Sequence, residues 1–132
     1  MDPVKLKNGE IVDAINAIGA LQAIEIKDLK TNYNLARSLK YLRAAHEKYE
    51  NERIALVESM FGQEKADENH KNWKEWQKNF NKLLQEETAV EKIFRVTLEG
   101  LDTKGSKAVP SSVLEAISFL IENFEQEPVQ VS

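Results

Sequence analysis

The sequence predicts a mainly α-helical domain with a minor β element: a long antiparallel helical hairpin, flanking short helices and a two-stranded β-ribbon. Three observations predict it. From Leu35 to Met60 a seam recurs at alternating steps of four and three, through Leu35, Leu39, Leu42, His46, Tyr49, Arg53, Leu56 and Met60. That spacing aligns the residues along one side of an α-helix and holds them against a partner helix over several turns. A second stripe follows at Trp73, Trp76, Phe80, Leu83 and Glu87, beyond the polar stretch from Gly62 to Asn72, and supplies the partner. Outside the hairpin, two short runs alternate apolar with polar side chains, the period of a half-buried strand.

The elements follow in order. Val4 to Lys7 alternates before Asn8-Gly9, a turn dipeptide, which predicts a short edge strand. Ile11, Ile15, Ile18 and Leu21, with Ala14 and Ala17 beside them, give an apolar face to a first helix over 10–24, weakened slightly by Gly19. The second helix, over 30–62, starts near Asp28 or Thr31 and closes at Gly62, a residue suited to a left-handed C-terminal cap. At 1.5 Å per residue its roughly 30 residues form a rod of about 45 Å. The third helix, over 69–87, is shorter, so the hairpin covers only the C-terminal part of the second and the other end needs different cover. That cover comes from downstream. Phe94, Val96 and Leu98 share one face and Arg95 and Thr97 the other, which predicts a strand over 92–98 paired with 4–7. Such a ribbon is marginal alone and must lie on helices. Glu99 to Lys107 is loop by composition. Ser112 and Glu115, at capping-box spacing, open a last helix over 111–124 whose apolar face is Val113, Ile117, Leu120, Ile121 and Phe124. The expected organisation is a single helical domain over 1–124 and a flexible tail over 125–132, where periodicity ends and Pro128 appears.

Composition narrows the function classes. A chain of 132 residues suits one domain with one core. With 18 basic and 22 acidic residues the net charge is −4, so nothing draws the whole molecule to nucleic acid or anionic lipid. The absence of cysteine removes disulfides, thiolate nucleophiles and zinc-thiolate sites together, and fits a reducing, cytoplasmic compartment. No stretch approaches the roughly 20 apolar residues of a bilayer span. Met1 to Lys7 has no apolar run after a basic region, so the mature protein is expected to begin there.

Candidate chemistry is sparse. His46 and Arg53 share the seam, with Glu50 between them at spacings that allow a helix-surface network; their expected role is structural. The nearest approach to a bundle metal centre is Asp67-x-x-His70, far short of the paired Glu-x-x-His and facing carboxylates such a centre uses, so no metal and no cofactor is expected. Neither a phosphate loop nor a nucleophile elbow occurs. Glu86-Glu87 reads as an ordinary solvated helix end. The first half of the second helix is locally basic: Lys30, Arg37 and Lys40 lie close together around it, off the Leu35-Leu39-Leu42 side, with Tyr33 and Tyr41 nearby, a combination that suits phosphates and unstacked bases. Glu115, Glu122, Glu125 and Glu127 are available to neutralise that ridge. Trp73 and Trp76, three apart, share a face, as an exposed hot spot would, or as the large residues of a seam against Leu56 and Met60 do.

Several segments also carry a resemblance. Lys5-Leu6-Lys7-Asn8-Gly9-Glu10-Ile11-Val12 resembles the opening of small uncharacterised helical proteins encoded by tailed bacteriophages and prophages. Tyr33-Asn34-Leu35-Ala36-Arg37-Ser38-Leu39-Lys40, Tyr49-Glu50-Asn51-Glu52-Arg53 and Phe80-Asn81-Lys82-Leu83-Leu84 are similar to later parts of the same proteins, as are Leu98-Glu99-Gly100-Leu101 and Ile117-Ser118-Phe119-Leu120-Ile121 after Pro110. The resemblance spans most of the chain and implies a phage or prophage gene expressed in a bacterial cell, with no catalytic residues to carry over. The expected function is that of a non-enzymatic accessory protein, cytoplasmic in the host or virion-associated, that binds a virion-assembly component or a host or defence protein. Its expected surface is Trp73, Trp76, Phe61 and Val57, whose neighbour Ile54 also needs cover, and a homodimer through these faces would supply it. The alternative is a nucleic-acid-binding accessory protein using Lys30, Arg37 and Lys40, against which the overall acidity weighs.

Overall fold

The computed structural model describes residues 3–103 and 108–122. The fold is mainly α with a minor β element. In chain order it comprises β1 (Val4–Lys7), α1 (Asn8–Ile24), α2 (Leu29–Phe61), α3 (Trp73–Gln85), β2 (Glu87–Val90) and α4 (Ser111–Ala116), with single 3-10 turns at Glu99–Leu101 and Ser118–Leu120. No helix among the described residues is long and apolar enough to cross a membrane.

Asn8-Gly9 is not a turn. β1 runs directly into α1, whose first turn is held by the Lys7 N–H donating to Glu10 Oε1 at 2.8 Å. Asn8 itself is buried, and it ties this junction to another one. Its Nδ2 donates to Leu83 O at 2.8 Å, its Oδ1 accepts from Thr88 Oγ1 at 2.6 Å, and its backbone N–H donates to Glu86 O at 2.8 Å. Those three groups belong to the end of α3 and the start of β2. The consequence is the register Val4↔Val90, Lys5↔Ala89, Leu6↔Thr88 and Lys7↔Glu87, antiparallel. The partner of β1 is therefore 87–90 and not the expected 92–98. Because α3 stops at Gln85 and Glu86 is extended, Glu87, the last residue of the second stripe, lies in the ribbon.

Residues 92–98 form no strand: they are irregular chain with a single bridge at Val96, ending in the turn at Leu98. Ile93 and Val96 are buried while Phe94 and Leu98 are half-buried, so burial follows a step of three and not the alternation that predicted a strand. Ser38, fully buried on α2, clamps the segment: its Oγ accepts from the Phe94 N–H at 2.8 Å and donates to Phe94 O at 3.3 Å. Val96 forms a parallel bridge with Ile121, its N–H donating to Leu120 O and its carbonyl accepting from the Glu122 N–H, both at 2.8 Å. The last helix ends before that bridge. α4 spans six residues from Ser111, and Pro110 rather than Ser112 precedes it as cap, so the expected helix to 124 with a Ser112–Glu115 box is corrected to a short helix and a 3-10 turn. Phe124 and the expected tail over 125–132 lie outside the described residues.

The second helix is continuous over 33 residues, about 50 Å. Asp28 caps it, accepting from Thr31 N–H at 2.9 Å and Thr31 Oγ1 at 2.6 Å, and both bonds hold its carboxyl below the ordinary aspartate range. At the far end the Gly62 N–H donates to Glu58 O at 3.0 Å. Gly62 has φ 59° and ψ −123°, a positive-φ conformation that glycine adopts without steric cost but outside the left-handed helical region expected of it. α2 contributes Leu35, Leu39, Leu42 and Ala45 to the main core, beside Ile11, Ile18 and Leu21 of α1, Val90, Ile93 and Val96 after α3, and Ile117, Leu120 and Ile121 near the C-terminal end. The contribution of α2 to that core ends at Ala45. Beyond it, the helix runs past the core and packs against α3 and the turn that leads into it.

Candidate interaction surface

The distal half of α2 and the returning α3 form a two-helix arm with a small cluster of its own. Phe61 is its centre, 3% exposed. Around it lie the His70 ring, edge-on at 4.7 Å between centroids, and the indoles of Trp76 at 6.0 Å and Trp73 at 6.4 Å. The three aromatic residues of α3 then run as a ladder: Trp73 stacks on Trp76 at 5.0 Å, and Trp76 on Phe80 at 5.1 Å with planes 8° apart. Spacings of three and four along a helix produce such a ladder directly. Trp73, Trp76, Phe80 and Val57 are half-buried, and Ile54 is exposed. Of the four residues expected to form a surface, Phe61 thus supports it from beneath, while Trp73, Trp76 and Val57 keep part of their area in water. The Trp76 Nε1–H is buried without a hydrogen-bond partner among the described residues, an uncompensated polar group inside the ladder.

The turn between the helices is organised by His70. Its Nδ1 accepts the Asn72 N–H at 3.0 Å, which places the ring proton on Nε2, where it donates to Glu64 Oε1 at 2.7 Å. That hydrogen bond is the main cause that lowers the Glu64 carboxyl pKa. Asn72 Nδ2 donates to Met60 O, and Asn79 Nδ2 reaches Met60 Sδ at 3.7 Å; the turn is therefore latched to the end of α2. Asp67, which the sequence set beside His70, instead accepts the Asn69 N–H at 2.9 Å and pairs with Lys65 at 3.7 Å. Among the described residues, no three histidine or carboxylate side chains gather to hold a metal ion. The Glu64–His70 contact carries no sequence signal, since a separation of six in irregular chain has no periodic meaning.

Along the seam, Tyr49 is buried, which raises its phenol pKa. Glu50 and Arg53 form a two-point ion pair, Nε to Oε1 at 2.6 Å and Nη2 to Oε2 at 3.1 Å. The pair holds the Glu50 carboxyl low and raises the Arg53 guanidinium further. His46 lies 5.5 Å from the Tyr49 ring, with its Nδ1 buried and without a hydrogen-bond partner among the described residues.

The basic ridge lies at the other half of α2. Lys30, Arg37 and Lys40 are exposed. The Arg37 guanidinium sits 3.6 Å from the Phe94 ring centroid and 5.1 Å from that of Tyr33, and Lys40 and Lys92 approach Tyr41 at 5.8 and 6.0 Å. The sequence named the cations but missed Phe94 and Lys92, whose segment is held on α2 by Ser38 and Asn34. Glu115 and Glu122, which were available to neutralise it, form no ion pair with it among the described residues; Glu125 and Glu127 lie outside the described residues. No family model, no curated protein and no solved structure matches this chain.

Proposed function

We propose that the chain is a non-enzymatic accessory protein of phage or prophage origin that acts by binding a protein partner, a virion-assembly component or a host or defence protein, through Trp73, Trp76 and Val57. The origin rests on the resemblance of its segments to phage-encoded proteins. One observation carries the choice of surface: the Trp73-Trp76-Phe80 ladder lies on an arm outside the main core and remains half-exposed. Tryptophans so placed offer large rigid contact area at little conformational cost, which is why they dominate binding hot spots.

A photo-crosslinkable residue in place of Val57, with Asp13 on α1 as control, tests this in infected or lysogenic bacteria. The expected result is one heteromeric adduct from position 57 and none from position 13. Trp76→Ala should weaken the purified pair by about 2 kcal/mol, roughly 30-fold. An adduct of two copies of this chain would replace the partner with a homodimer. Absence of any adduct, together with lost thermal stability in Trp76→Ala, would make the tryptophans core and end the proposal.

A further inference from the structure

Between Leu29 and His46 the long helix carries Lys30, Arg37, Lys40 and Arg43 and not one carboxylate, although the chain as a whole has a net charge of −4. Helical spacing puts Lys30, Tyr33, Arg37 and Lys40 on the side of α2 facing away from Leu35, Leu39 and Leu42. All four are exposed, Tyr33 to 62%, and Leu29 beside them to 82%. The chain after β2 extends this face. Asn34 Nδ2 donates to Arg95 O at 3.2 Å and Ser38 fixes both backbone polar groups of Phe94, so Lys92 and Arg95 add two exposed cations along its flank.

Arg37 is the centre of the arrangement. Stacked 3.6 Å from the centroid of Phe94 and near Tyr33, it is oriented by two rings before any ligand arrives, which lowers the entropic cost of using it. No carboxylate comes within ion-pair distance of Lys30, Arg37 or Lys40 among the described residues, Asp28 acting on Lys30 only from farther off; the ion pairs lie at Lys27–Asp102, Glu50–Arg53, Lys65–Asp67 and Glu64–His70. We infer that this face binds single-stranded nucleic acid, with Lys30, Arg37, Lys40 and Lys92 on the phosphates and Tyr33 as the platform on which a base stacks. A duplex keeps its bases stacked on one another and would leave Tyr33 unused, whereas cations interleaved with an exposed ring suit an unpaired strand. An acidic peptide would neutralise the cations, but only a nucleic acid carries a planar base beside every negative charge. The site is separate from the arm and stands whether or not the arm binds a protein.

The test is fluorescence anisotropy of the full chain with labelled oligo-dT and oligo-U of about twelve nucleotides, and with a duplex of equal length, from about 20 to 200 mM salt. Single strands should bind at low salt at least about tenfold more tightly than the duplex, with a log–log salt slope near −3, about 0.7 for each of four neutralised phosphates. The double charge reversal Lys30→Glu, Lys40→Glu should lose at least tenfold and flatten the slope. Tyr33→Ala should lose roughly five- to tenfold with the slope unchanged, since stacking releases no counterions. Lys65→Glu, on the turn of the arm, should change nothing. These side chains are exposed, so the variants keep the fold, checked by circular dichroism. No anisotropy change at the lowest salt would overturn the inference. So would equal affinity for duplex or for a polyglutamate peptide, or an inert Tyr33→Ala.

Discussion

Asn8→Ala is the most informative single change to the fold, because one 3%-exposed side chain joins the β1–α1 junction to the α3–β2 junction. The substitution removes two hydrogen bonds. Leu83 O loses the 2.8 Å donor but still accepts from the Glu86 N–H at 3.2 Å, so its loss costs about 1 kcal/mol; Thr88 Oγ1 loses a 2.6 Å acceptor in a half-buried position, about another 1. The small cavity left by the amide adds somewhat less than 1. The expected total is about 2–3 kcal/mol, against a stability of order 5–15 for a domain of this kind. Urea unfolding followed by far-UV circular dichroism measures it, with an unchanged m-value showing that the compactness of neither state has moved. A double-mutant cycle with Thr88→Val should return a coupling of about 1 kcal/mol. A loss under about 0.5 kcal/mol, or a coupling of zero, would mean that the ribbon is registered by its strand pairing alone and that Asn8 is incidental.

Other expectations follow from close approaches and from charge. A Cβ on Gly100 would overlap the Thr31 hydroxyl, which cannot swing away without losing its bond to Asp28, so Gly100→Ala should cost about 1–3 kcal/mol by thermal or urea unfolding; a neutral result would show that Thr31 moves freely. Ser38→Ala leaves the Phe94 N–H without its acceptor and should cost about 1–3 kcal/mol, and it should also weaken oligonucleotide binding by releasing Phe94 from Arg37. The Asp28, Glu50 and Glu64 carboxyls all have lowered pKa values in the folded protein. Their stabilising effect is present above the unfolded-state values and is lost as pH falls through the folded ones, so Tm should decline below about pH 4. His70→Ala should remove the Glu64 share of that slope, and an acid profile identical to wild type would refute the Glu64–His70 linkage.

What the sequence revealed and what it concealed differ in physical kind. The alternation of fours and threes from Leu35 to Met60 marked α2 because a helix repeats the same geometry at every turn, so many residues report one fact; the observed helix is unbroken from Leu29 to Phe61. Strand pairing has no such redundancy. Four residues of β2, Glu-Thr-Ala-Val, alternate too weakly to stand out beside the β-branched and aromatic run at 93–98, and what selected them was Asn8, a single side chain reaching residues 75 and 80 positions away. The candidate surfaces divide the same way. Trp73, Trp76 and Phe80 were visible as a ladder because the spacing lies within one helix. Phe94 was not, because its place beside Arg37 depends on the Ser38 hydroxyl meeting backbone 56 residues on. A fully buried hydroxyl must find a partner. Ser38 adjoins the Leu35-Leu39-Leu42 seam without belonging to it, so its position in the pattern gave no warning that its hydroxyl is fully buried and bonds a distant part of the chain.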